Sequence, residues 1–329
     1  MNRVFTILLG VTIVLVGLTM PASAQLTDKE WLGVENRNWL NDNNWQGGSR
    51  PTASNRAIIP ANAARMPLID NDTTDAVAGA ITIEAGAKIN VEEGATLILG
   101  DGNAQTTTLD GELFLGRSGH EHGVLKINGD HTIQGEGGVI HMIHYDSTKI
   151  IENDGTGDEL TLQSSNTSCS GWPQDRDCTV VLRGGGEIHV ALDNRAYVVG
   201  DLDCLRLKDE PKTGSSAGFW VVENDTEFHV MTTVTGACAW QCIDTTAPLG
   251  GTFKIEYGEG CVAATGPVTL YAGTLECGAS FCTAGKLTLK SVACDDCVDD
   301  KSEPRIIAHV SVSTTFGLGT ASPGCASCP

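Results

Sequence analysis

Five of the chain's eight histidines fall between residues 120 and 144: His120 and His122 in the string HEH, then His131, then His141 and His144 in HMIH. Histidines two apart on a strand project from one face, and imidazoles held that way suit Zn²⁺ or Cu²⁺. Spacings of 21 and 22 residues separate His120 from His141 and His122 from His144. In a fold with coils of that length, the outer members would stand one above another as two imidazole pairs on one wall. Against this, Ser118, Gly119 and Gly123 surround HEH with turn chemistry, which favours histidines that simply meet solvent.

The turn DGTGDE offers a second kind of ligand, the carboxylates of Asp154, Asp158 and Glu159 on a flexible glycine frame. Oxygen-rich turns suit Ca²⁺, the one cofactor the sequence raises. The string lacks EF-hand spacing and the calcium-binding nonapeptide, so a solvated loop is the simpler reading. Trp31, Trp39 and Trp45 gather three of the six tryptophans ahead of the first regular strands. A rigid indole can bury a sugar ring while its N–H bonds a hydroxyl, which makes these residues a candidate ligand platform. The plainer expectation is a hydrophobic cap over the open end of a stacked fold. No GxSxG, HExxH or Walker A string occurs, and abundant Asp and Glu do not by themselves mark the opposed carboxylate pair of a glycoside hydrolase.

The positions that must hold these residues in place are most regular in ITIEAGAK, INVEEGAT and LILGDGNA, three gapless octads over residues 81–104. Ile81, Ile89 and Leu97 match, as do Ile83, Val91 and Leu99, and Gly86, Gly94 and Gly102 close each unit. Apolar residues two apart share one face of a short strand, and the glycine supplies a tight turn. Such a unit has too little core to stand alone and must stack, which predicts a parallel β-helix, that is, a β-solenoid. Short strands at regular spacing also suit β-sandwich modules, the alternative fold. The pattern continues through ELFLG, VLKIN, HTIQG, GVIHM, KIIEN and ELTLQ between residues 112 and 163. Later come FWVV, EFHV, TFKI, VTLY, KLTL and RIIAHV, and from TFKI onward the starts step by 16, 18 and 19 residues, close to one coil.

Charge narrows the partners. With 21 Lys and Arg against 41 Asp and Glu, a formal net charge of −20 excludes nucleic acid held by charge and opposes polyanionic sugars unless ions bridge them. Residues 1–24 read as a secretory signal: Arg3, a long apolar run, then Pro21 and the small residues Ala22, Ser23 and Ala24, with cleavage expected before Gln25. The remaining chain has no stretch of the ~18 apolar residues that a spanning helix needs.

All 12 cysteines follow residue 168, and an even number after an export signal reads as disulfides. Local pairings are available for Cys169 with Cys178, Cys238 with Cys242, Cys277 with Cys282, Cys294 with Cys297, and Cys325 with Cys328, leaving Cys204 and Cys261 as a long-range pair. Connectivity stays open, since spacing alone does not choose among pairings. The CxxC strings at 294–297 and 325–328 are too far apart for a zinc ribbon and lack the βαβ surroundings of a redox motif. The organisation expected is a signal at 1–24, a Trp-rich cap at 25–60, a cysteine-free solenoid at 61–168 and a disulfide-rich continuation at 169–329.

The segment NWLNDNNWQGGSRPTASNRAIIP at residues 38–60, followed by IxI strands, resembles the opening module of bacterial secreted and surface β-helix proteins. It is also similar to G8-type domains, whose pattern runs Trp, a Gly-rich turn, Pro, then IxI strands and glycines. The likeness covers about residues 31–130. The remainder resembles the pectin-lyase-like superfamily in architecture alone, without the ordered catalytic strings of its pectinases. The resemblance implies a parallel β-helix and not an activity. The expectation is a secreted structural or adhesive solenoid of the cell surface or matrix, non-catalytic, with a polysaccharide or cell-surface component as partner. The alternative is a polysaccharide-active β-helix, a lyase or glycoside hydrolase.

Overall fold

A computed structural model describes residues 25–310, apart from 71–74, 93, 118–121, 144–147, 153–154, 156, 167–177, 216, 224–225 and several short stretches between 237 and 304; side chains are described as far as residue 236. The signal at 1–24 lies outside these residues.

The three octads are three sides of one coil. Ala80–Ile83, Lys88–Val91 and Thr96–Leu99 form three short strands, each belonging to a different face of a prism. Ile81, Ile83, Ile89, Val91, Leu97 and Leu99 are all buried in a single apolar cluster. The polar residue between each pair points out, and Gly86, Gly94 and Gly102 adopt positive φ of 86°, 81° and 86° at the corners. The next coil begins at Gln105–Leu109, whose Thr108 and Leu109 lie beside Thr82 and Ile83. Side chains that bond across neighbouring coils are 24, 26 and 29 residues apart at Thr107 to His131, Ile81 to Thr107, and Gln134 to Gln163. A coil is therefore longer than the steps of 16 to 19 residues suggest. Thr252–Ile255 pairs back with Glu227–Val230 and not with the VTLY strand that follows it.

The first face stacks Thr27–Glu30, Asn55–Ile59, Ala80–Ile83, Gln105–Leu109, His131–Gly135, Glu159–Ser164 and Ala191–Arg195 in that order, every pair parallel. The second stacks Leu68–Ile69, Lys88–Val91, Glu112–Leu115, Val139–Met142 and Val181–Ile188. The third stacks Ala76–Ala78, Thr96–Leu99, Val124–Ile127 and Lys149–Glu152. This is the parallel β-helix, and a sandwich, which needs antiparallel pairing, does not occur in it. The ladders cross residue 168 without a break, so the cysteine-free and cysteine-bearing parts continue one stack.

At Val181–Ile188 the second and third faces join. Val181 to Gly184 pair with the second face and Glu187 and Ile188 with the third, the strand bending through Gly184, Gly185 and Gly186. Gly184 has φ 122°, and a Cβ there would stand 1.8 Å from the Met142 carbonyl oxygen, so no larger residue turns this corner in the same space. Tyr197–Leu207 repeats the bend one coil later.

The cap is narrower than residues 25–60, because Thr27–Glu30 and Asn55–Ile59 are already stacked strands. Between them Trp31, Trp39 and Trp45 are 0–1% exposed and plug the end of the core. Trp45 stands edge-on to Trp31 at 5.0 Å and to Trp39 at 4.6 Å. Trp31 Nε1 donates to the Arg65 carbonyl and Trp45 Nε1 to the Trp39 carbonyl. Buried Asn44 ties the loop: its Oδ1 accepts from the Glu35 and Asn36 amides, and its Nδ2 donates to Asn36 Oδ1 and the Asn38 carbonyl. No indole face is open, so the sugar platform at Trp31, Trp39 and Trp45 gives way to a structural plug.

Cys178 is disulfide-bonded and Cys204 is buried. The side chains of Cys169, Cys238, Cys242, Cys261, Cys277, Cys282, Cys294, Cys297, Cys325 and Cys328 lie outside the described residues. Among the described residues no helix is long and apolar enough to cross a membrane.

Two outcomes follow. Val91 lies between Ile69 and Leu115 in an inward column. Val91→Asp would bury a carboxylate there and should abolish soluble expression, with Asn90→Asp, one residue away on the outer surface, expressing normally. Trp39→Ala should lower stability by ~3–5 kcal/mol, read as a fall in unfolding midpoint, as other large-to-small changes in packed cores do. An unchanged midpoint would contradict the plug.

Candidate functional site

The histidines do not stack as two pairs. The residue beside His141 in the preceding coil is Phe114 and in the following one Arg183, so no register brings His120 beneath it. The reason is coil length, since corner loops add residues that a 21-residue spacing does not count. His120 and His144 lie outside the described residues, as does Asp154. His122 sits at a corner, where its carbonyl accepts from the Gly94 amide. Among the described residues no group of three or more His, Cys, Asp or Glu is placed to hold a metal ion.

Acidic residues of the DGTGDE turn serve the stack instead. Asp158 Oδ2 accepts from the Gly129 amide at 2.7 Å, and the Glu159 amide donates to Asp130 Oδ1 at 3.1 Å, so each coil's carboxylate fastens the next coil's turn. Burial, with Asp193 and Asp130 nearby, raises the pKa of Glu159 against the opposing charge of Arg195.

A different constellation gathers on the outer side of the second face. Asn90, Phe114, His141 and Arg183 form one outward column, each in register with the next. Phe114 and His141 are stacked, 4.3 Å between centroids and 5° from parallel. His141 Nε2 lies 3.5 Å from Glu112 Oε1, a contact at the limit of hydrogen bonding. Burial pulls the His141 pKa down, helped by the charge of Arg183 and opposed by Glu112. Arg183 donates through Nε to Asp201 Oδ2 at 2.8 Å, and its Nη2 bonds the same oxygen. Beyond Arg183 the outward positions turn apolar, with Val181, Tyr197, Val199 and Val221 enclosed in a cluster separate from the core.

Toward the cap the same face opens into a cavity of about 420 Å³. Its floor is Phe114 with Ile143 and the bare backbone of Gly116; Arg37, Lys88 and Arg117 bring cations to its edge, and Asn90 and Glu92 complete it. Glu92 is buried, accepts from Asn90 Nδ2 at 2.9 Å, and faces Arg117 Nη1 at 3.7 Å. Arg37 reaches the cavity because the cap loop runs beside Leu68, its Nε donating to the Met66 carbonyl. Sequence reading does not find this group, since its members come from the cap loop and three successive coils of the second face.

The densest ion-pair network is on the third face. Glu187 accepts from Lys208 Nζ and faces His189 Nε2, each at 2.9 Å, with Lys149 Nζ at 3.3 Å. His189 Nδ1 in turn faces Asp209 Oδ2 at 2.5 Å. Burial alone would raise the Glu187 pKa, but the bonds from Lys208 and His189 and the charges of Lys208 and Lys149 outweigh it and hold it at about 2. A carboxylate so committed bonds coils together and is no general acid near neutral pH.

His131 belongs to the core and not to any wall. It is 1% exposed, its Nε2 meets Thr107 Oγ1 at 2.9 Å, and burial lowers its pKa to about 4 against the weaker pull of Asp101. Because the folded protein binds this proton more weakly than the unfolded chain, the contribution of His131 to stability is whole above pH ~6.5 and is lost as pH falls from there to about 4, by ~3 kcal/mol. Denaturant midpoints should fall across that window, and His131→Gln, which keeps an acceptor for Thr107, should flatten most of the slope.

Residues 30–116 match the family model described as Domain of unknown function (DUF8693), a span from the cap loop to the floor of the second-face cavity. No curated protein matches the chain, and no solved structure does.

Proposed function

We propose that the chain is an exported, non-catalytic structural or adhesive solenoid of the cell surface or extracellular matrix, holding a polysaccharide against its second face. The observation that carries this reading is the commitment of the outward carboxylates: Glu187, Asp201, Asp193, Asp158 and Glu92 each bond a cation or a backbone or side-chain N–H of the chain itself. A hydrolase needs one carboxyl free to protonate a leaving group and a second free to act on the opposite side. Bonded to one another in rows, these side chains instead stiffen a long surface.

The signal at 1–24 supports export, and the cysteines after residue 168 suit an oxidising compartment. Net charge of −20 keeps such rods from associating through their faces. The second reading, a polysaccharide-active β-helix, finds support only in the presence of a cavity on the long wall.

Incubation of the folded protein with neutral, uronic and sulfated polysaccharides separates the two. Retention on at least one polymer with no new reducing ends and no unsaturated product is the expected result; release of soluble oligosaccharide would overturn it. With Asp158 bonded to a backbone amide, retention is expected to survive dialysis against EDTA.

A further inference from the structure

We infer that the cavity on the second face is a binding site for an anionic saccharide, one carrying carboxylate or sulfate groups on its rings. This deepens the adhesive reading and rests on it. The whole chain repels polyanions, yet at this one place the sign reverses: Arg37, Lys88 and Arg117 stand against Glu92 alone. Glu92 is drawn inward by the Asn90 amide, with a side chain 8% exposed, whereas Arg117 is 66% exposed and keeps its reach. Among the described residues Lys88 Nζ has no hydrogen-bond or ion-pair partner, so its charge is available to a ligand.

The floor supplies what the cations lack. Phe114 has one ring face against His141, and its other face turns along the column toward Asn90, where the cavity lies. Sugar C–H groups pack on such a face, as they do on other aromatic rings in binding sites. Asn90 uses its Nδ2 on Glu92, which leaves its Oδ1 to accept from a hydroxyl. Gly116 follows Phe114 by two positions on the outer side and has no side chain, so a gap opens between Glu92 and Ile143 wide enough for a ring to enter. Acid group, hydroxyl and apolar ring edge occur together in one unit of an acidic saccharide, and here their complements occur together within one cavity. The volume, about 420 Å³, lies within the ~300–1,000 Å³ of small-molecule sites.

Calorimetry of the full chain with uronic, sulfated and neutral oligosaccharides of equal length tests this. The expected result is binding of an acidic oligosaccharide at least about 10-fold tighter than the neutral one, falling as salt rises. Lys88→Ala should weaken it about 5-fold, and Lys88→Ala with Arg117→Ala about 20-fold, with melting temperature unchanged because both side chains are exposed. Lys126→Ala, which removes the same charge from the outer side of the third face, should leave affinity within about twofold. Preference for sulfate over uronate, or the reverse, identifies which acid the site takes. Equal affinity for neutral and acidic sugars, or an equal loss with Lys126→Ala, would overturn the proposal while leaving the adhesive reading in place. Failure to bind any saccharide would overturn both.

Discussion

Every feature of this fold depends on coils stacking in register. A single coil has three strands of about four residues, and each contributes two inward side chains, too few to bury one another. Stability comes instead from columns, such as Ile69, Val91, Leu115 and Met142, in which each side chain is covered by its neighbours above and below. The same constraint explains the tryptophans. A column that ends exposes its last member, and the three indoles take the place of a further coil, with Asn44 satisfying the backbone groups of the loop that carries them.

Stacking in register also decides what can be read from the sequence. The octads reveal strand, turn and inward positions because these repeat at fixed spacing, and Ile83, Val91 and Leu99 do share one core. They do not reveal that one octad is one side of a triangle, since the period of a side and the period of a coil are different quantities. The coil length varies at the corners, from 24 residues between Thr107 and His131 to 29 between Gln134 and Gln163. A histidine spacing of 21 therefore falls short of a coil, and His141 meets Phe114. Strands without the IxI signature, such as Tyr197–Leu207 with its internal Gly200 and Asp201, leave no periodic trace even though they continue two faces at once.

The candidate site was legible in type and not in place. Tryptophans, histidines and carboxylates are what a reader expects to do chemistry, and here they plug an end, stack in a column and fasten turns. Lys88, Phe114 and Arg117 are unremarkable in isolation. Their grouping depends on which outward positions three successive coils of the second face bring side by side, information that exists only once register is known. Local charge then matters more than the total, because exposed charges beyond ~8–10 Å are largely screened at ordinary salt.

Polar groups inside the stack follow one further rule: they lie where a strand meets a corner. Lys212 occupies an inward position in register with Leu192 and Val234, and is fully buried. Its ammonium reaches the adjoining turn, donating to the Lys208 carbonyl at 2.7 Å and bonding that of Glu210, and burial lowers its pKa to about 7 against the pull of Asp209 and Glu210. Thr232 from the next coil donates to the Asp209 carbonyl at 2.7 Å, so the turn is held from two coils. Asp209 itself sits at φ 55°, uncommon for a residue with a side chain, and its carboxylate meets His189. Asn194 does similar work at another corner, taking the Ala196 amide and donating to the Phe219 carbonyl. Corners interrupt the hydrogen-bond ladders and leave carbonyls and amides that buried backbone cannot leave unsatisfied. An inward side chain at a strand's end is near enough to satisfy them, and one at its middle is not, which is why the middles of these strands are aliphatic and their ends admit lysine, histidine and asparagine.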